Sequence, residues 1–177
     1  MTASFLASSV IVLVVVHLIA TLLGAGSITV AEWQYFRALM DGRIDAGERA
    51  HLNALFFSLR YALVLMVLAD VVLSVALYAL PGAPAITLTA PYWLEMVLTI
   101  LLIGASWLRF HGRIPFWAGS AIAFTGWWYL AGLDLGFLPV AGFGSAFVGF
   151  IVSVALIAVL FRYARFLVRA RVEHQNA

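Results

Sequence analysis

Apolar residues fall in five long runs, at about residues 5–26, 55–80, 92–110, 115–133 and 141–161, separated by short polar stretches. Each run is close to the roughly 20 residues that carry a helix across bilayer hydrocarbon. The pattern predicts an all-α, polytopic bundle of five transmembrane helices in a single domain. The polar stretch at about 28–54 has structure of its own. Residues 28–40 contain neither Gly nor Pro and read as helix continuing beyond the membrane. Asp41-Gly42 is a turn signal. Asp45 followed by Glu48 has the spacing of a capping box, so a further helix is expected to start near Asp45 and feed into the second span. The result would be a cytoplasmic helical hairpin. There is no internal repeat, and an odd span count argues against an inverted one.

Charge turns the five runs into a threading. All ten basic residues are arginines. Arg37, Arg43, Arg49 and Arg60 lie between or just inside spans one and two, Arg109 and Arg113 between spans three and four. Arg162, Arg165, Arg169 and Arg171 follow span five. The loop at 81–91 carries no charge, and the one around Asp134 carries no base. By the positive-inside rule the N-terminus is outside and the C-terminus cytoplasmic. Tyr78, Tyr92 and Trp93 on the outer side, and Trp33, Tyr35 and Trp117 on the inner, suit the interfacial belt where an amphipathic ring has one dry end and one wet end.

Composition agrees with lipid as the main solvent. The chain of 177 residues is 65% hydrophobic and 10% charged, with a mean hydropathy of +1.08. Soluble proteins are roughly 45–50% apolar. The net charge of +2 is no nucleic-acid signal, because the arginines sit at predicted helix ends and form no single patch. There is no cysteine, hence no disulfide framework, thiolate metal site or Cys nucleophile. Met1-Thr2-Ala3-Ser4 lacks a positive n-region, so the first run reads as a retained span. No HExxH, P-loop or GxSxG occurs, and Gly24-Ala25-Gly26 lacks the strand and third Gly of a nucleotide fingerprint. The reading leans away from an enzyme.

Three ionisable side chains fall where hydrocarbon should be. His17 lies about 18 Å along the helix from Phe5, which puts it in the cytoplasmic half. Leu13, Thr21 and Gly24 share its face. Thr21 can hydrogen-bond, and Gly24 permits close approach of another helix. Such a His either fixes packing as a neutral interhelical bonder or serves as a proton relay or metal ligand. Asp70 lies about 15 Å beyond Arg60, near the midplane, with Met66 and Ser74 on its face. An Asp there costs about 2.5–3.5 kcal/mol and needs a partner, water or a proton. Similar depth on sequential spans leads us to expect a His17–Asp70 pair. Glu95 opens span three near the outer surface. It either joins this site from an outer entrance or sits in the headgroup layer near a helix N-terminus, where negative charge is favoured.

Ala141, Ser145, Gly149 and Ser153 recur every four residues, a spacing that lets helices pack backbone to backbone. Met66 is a candidate second axial ligand beside His17 for a haem b. Trp127, Trp128 and Tyr129 would line a haem or quinone pocket, or belong to the outer interface.

The segment from His17-Leu18 to Gly24-x-Gly26, with the aromatic helix and the Asp41-Gly42-Arg43-Ile44-Asp45 turn that follow, resembles a group of uncharacterised small bacterial polytopic membrane proteins. That resemblance covers about the first third of the chain and implies a multi-pass protein of the bacterial inner membrane, without an activity. Three functions fit the residues. One is transport or proton/ion translocation through His17, Thr21, Asp70, Ser74 and Glu95, with a homo-oligomer expected. Another is a haem- or quinone-associated electron-transfer subunit. The third is a non-enzymatic accessory or assembly protein. In each the bilayer is the principal partner.

Overall fold

The structure is a computed structural model. It describes residues 2–41, 45–79, 89–138 and 140–175, and among these every regular element is a helix. Helix α1 is Thr2–Asp41, α2 Ala46–Tyr78, α3 Ala90–Phe110, α4 Phe116–Asp134 and α5 Phe143–Gln175. Gly42, Arg43 and most of the uncharged loop lie outside the described residues.

Local chemistry accounts for the boundaries. Asp45 is extended and its carboxylate accepts from the Glu48 amide at 2.7 Å. The Glu48 carboxylate accepts from the Asp45 amide at 3.1 Å, which completes the expected capping box. Pro91 sits in the first turn of α3, where its missing N–H costs nothing. Gly112 and Gly136 take positive φ (65° and 70°) at the ends of α3 and α4. Beyond Gly136 the Phe137 amide returns to the Gly132 carbonyl at 2.9 Å, a left-handed C-terminal closure that a side chain at Gly136 would strain.

The helices alternate in direction. His17 meets Asp70 and Ser27 meets Ser58, so α2 runs back along α1. Glu95 lies level with His17, and Arg109 covers Phe116, so α3 runs with α1 and against α4. Tyr129 stacks edge-on to Phe150 and Phe124 to Phe161, which returns α5 against α4. Helix α4 is the centre of the bundle and packs on α1, α3 and α5. Its Ser120, Ala121, Leu130 and Ala131 are wholly enclosed. Ala20, Ile28, Met66, Leu94, Leu98 and Trp127 complete the core. The outer faces carry Ile11, Val15, Ile19, Val64, Val71, Ile100, Val148 and Val159, all exposed. Such a surface suits acyl chains and would not suit water. Four helices, α1, α2, α3 and α5, are long and apolar enough to cross a bilayer. The chain is therefore compatible with a small multi-pass membrane protein.

Residues 28–41 continue α1 as helix, as expected, and Ala31, Glu32 and Ala38 on this stretch are buried. The cause is α5, which extends past the apolar run to Gln175 and packs its Phe161 and Arg165 against Phe36 and Glu32. The small-residue stripe is only partly on a packing face. Ala141 precedes α5 and is exposed, as is Ser145, while a Cβ on Gly149 would press on the Tyr129 hydroxyl of α4. Ser153 bonds back to the Gly149 carbonyl at 2.8 Å.

Candidate functional site: one imidazole among three carboxylates

Four helices each send one titratable side chain to the same point. His17 comes from the middle of α1 and its side chain is 10% exposed. Asp70 approaches from α2, with Oδ1 at 2.7 Å from His17 Nδ1. On the other side of the ring, Nε2 lies 2.9 Å from Glu95 Oε1 of α3 and 3.1 Å from Asp134 Oδ2 of α4. The three carboxylates are 11–19% exposed. Thr21, one turn along α1, lies with its hydroxyl 2.6 Å from Asp134 Oδ2 and 2.9 Å from the His17 carbonyl.

Distance and direction differ here. His17 Nδ1 and Glu95 Oε1 are buried, yet neither makes a well-aligned hydrogen bond. An imidazole nitrogen carries at most one hydrogen, and two anionic oxygens converge on Nε2. Three carboxylates facing one imidazole leave the cluster formally anionic whether or not the ring is protonated. Among the described residues, no arginine is paired with these four side chains. The described arginines lie toward the opposite end of the bundle, on the late part of α1, the early part of α2, the end of α3 and the late part of α5.

The site lies closer to the arginine-free end than the depth count implied. Glu95 is in the second turn of α3 and Asp134 is the last residue of α4, and both touch His17. The packing of α1 on α4 sets the height of His17. Gly24 decides that contact, since a Cβ there would overlap the Trp127 ring. The structure thus brings together His17, Thr21, Asp70 and Glu95. Ser74 is half-buried one turn beyond Asp70, and Met66 is fully buried in the core one turn before it. Because both ring nitrogens of His17 face carboxylates, a haem iron could take one only by displacing them.

Sequence reasoning missed Asp134, which it left in an outer loop. The available signal was an acid at the end of an apolar run with no base beside it. It also missed a second polar cluster. Glu32 of α1 accepts from the Ser120 hydroxyl of α4, and Arg165 of α5 lies 3.4 Å from Glu32 and 3.2 Å from Ser120. The Arg165 guanidinium is ringed by Tyr35, Phe36, Phe116 and Phe161 at 5.0–5.8 Å. Fifteen residues of α1 separate His17 from Glu32, about 22 Å of helix. Positions 17, 21, 24, 28 and 32 make one helical stripe, so the signal was present. Between the two levels a groove of about 580 Å³ opens, lined by Ile28, Phe56, Arg60, Arg109 and Trp127 among others. Thr99 and Thr125 are buried between the levels with unbonded hydroxyls.

Comparison of the chain with protein-family models, with curated proteins and with solved structures finds no match.

Proposed function

We propose that this chain is a five-span membrane protein, N-terminus outside, that translocates cations through the His17 site, as a proton-coupled or ion-conducting transporter of a bacterial inner membrane. The observation that carries the reading is the convergence of Asp70, Glu95 and Asp134, from three different helices, on the two ring nitrogens of one buried His. Taking one carboxylate out of water costs several kcal/mol, and hydrophobic side chains of similar volume often do as well or better for stability. Ionisable residues retained within a membrane mark ion and proton pathways. A cluster rich in carboxylates attracts cations, and an imidazole can take or pass a proton at either ring nitrogen, which suits a relay.

The test is flux into sealed vesicles holding a pH-sensitive dye, with a proton gradient imposed across the purified, reconstituted protein. Wild-type protein is expected to collapse the gradient faster than protein-free vesicles. Asp70→Leu and His17→Leu, each compared at equal amounts of folded reconstituted protein, should lose that excess rate. Wild-type vesicles no leakier than empty ones, to protons and to added divalent cations alike, would overturn the translocation reading.

A further inference from the structure

We propose that the site binds one divalent transition-metal cation, held by His17 together with Glu95 and Asp134, with Asp70 orienting the imidazole ring. This deepens the translocation reading, since the ion bound would be a transported or coupling cation, but it is tested by binding alone. One ligand atom from each of His17, Asp70 and Glu95 lies within 4.8 Å of the others, which gathers them at one point. The spacing around Nε2 is sharper still. An octahedron with metal–ligand bonds of about 2.1 Å has edges of about 3.0 Å. Nε2 stands 2.9 Å from Glu95 Oε1 and 3.1 Å from Asp134 Oδ2.

Proximity of acids alone would not make a site. The further observation is that His17 is nine-tenths buried with Nδ1 unbonded, and that Glu95 Oε1 is likewise buried without a hydrogen bond. Glu95 Oε1 faces Nε2 at 2.9 Å with no hydrogen bond between them, which is the spacing of two ligands on one cation. A neutral imidazole binds metal through one nitrogen, and a carboxylate at the other nitrogen orients the ring. Asp70, 2.7 Å from Nδ1, is placed for that role when Nε2 ligates. Thr21, bonded to Asp134, steadies a second ligand in the same way.

Donor chemistry selects the ion. Calcium and magnesium favour all-oxygen shells. Imidazole with carboxylates suits manganese, iron(II), cobalt(II) or zinc, and the chain has no cysteine to favour softer ions. A divalent cation also offsets two of the three carboxylate charges, where a proton offsets one.

The measurement is equilibrium binding of Mn²⁺, Co²⁺ and Zn²⁺ to chelator-stripped, full-length protein in detergent, with Mg²⁺ and Ca²⁺ as comparisons. One transition-metal ion per chain is expected, Co²⁺ giving visible ligand-field bands of a nitrogen–oxygen site. Glu95→Gln and Asp134→Asn should each lower affinity at least tenfold, and Asp70→Asn by about 10–100-fold. A triple variant with His51, His111 and His174 changed to Gln should bind as wild type. Each variant is compared only if its helical circular dichroism and gel-filtration profile match wild type, and Glu95→Gln alone suffices if the others fail to fold. Absence of binding to folded wild type, binding lost with the three other histidines, or binding undiminished in folded Glu95→Gln would each overturn the metal site. Proton flux without metal binding sinks this inference and leaves translocation standing. Metal bound stoichiometrically without any flux does the reverse.

Discussion

The His17 cluster is held in place by residues that disagree electrostatically, and single substitutions should therefore have opposite signs. Three carboxylates at 2.7–3.1 Å from one ring repel one another, and the ring's hydrogens are their common attraction. Removing one anion relieves repulsion and desolvation together. Metal-free Glu95→Gln is expected to be as stable as wild type in detergent, or more so. Removing the ring strands all three. His17→Leu should lose on the order of 3 kcal/mol, as when one partner of a buried ion pair is deleted. Thermal unfolding followed by circular dichroism, in chelator, reads both. Equal destabilisation by the two would mean that the contacts are ordinary packing. Steric constraint on the same helix is tested by Gly24. A Cβ there runs into the rigid, buried Trp127 ring, whereas at Gly126 it meets the terminal methyl of Leu102 at 2.8 Å, which can rotate away. Gly24→Ala should cost about 1–3 kcal/mol and Gly126→Ala clearly less. The His17–Asp70 contact was readable from depth and adjacency. Asp134 was not, because a residue at a helix end gives no sequence sign of which way the end leans.

At the scale of elements, each helix was visible as an apolar run, and the capping box at Asp45 fixed where α2 starts. What the runs did not reveal is how far α1 and α5 continue as packed helix outside the apolar stretch. Hydropathy falls there, but burial does not: Glu32 is 5% and Arg165 9% exposed. A pair of opposite charges 133 positions apart has no local signature. The Arg165–Glu32–Ser120 cluster ties the late parts of α1 and α5 to the start of α4. Arg165→Met should destabilise by on the order of 3 kcal/mol, because Glu32 is left buried without its cation. Adding Glu32→Gln should recover most of that loss. A double variant as unstable as the single would show that Arg165 acts through its stacking on Tyr35, Phe36, Phe116 and Phe161 instead. The capping box is worth less: Asp45→Ala should cost about 1 kcal/mol, since it frees one amide at an exposed helix start.

At the scale of the molecule, the two ends of the bundle differ in charge, and the function argued above depends on which end faces which compartment. The His17 cluster lies toward the end formed by Tyr78, Thr89 and Leu135, and the arginines toward the end formed by Asp45, His111 and Pro115. In the proposed threading the positive-inside rule places the second end in the cytoplasm, so cations would reach the anionic cluster from outside. The threading turns on α4. It is 19 residues long and is not among the four helices that qualify as spans by length and apolarity. Yet it is the helix around which α1, α3 and α5 pack, and a buried central helix needs no lipid-facing apolar surface. The chain has no native cysteine, so single cysteines report without background. Tyr78→Cys and Phe137→Cys, both highly exposed in the folded chain, should react with a membrane-impermeant maleimide on intact cells. Arg49→Cys and His111→Cys should react only after the membrane is opened. If all four labels reverse, the bundle is inverted and the His17 site faces the cytoplasm. If Phe137 and His111 label from the same side, α4 does not cross, Asp134 cannot meet Glu95 and His17 within a five-span bundle, and the transport site fails with the threading that assembled it.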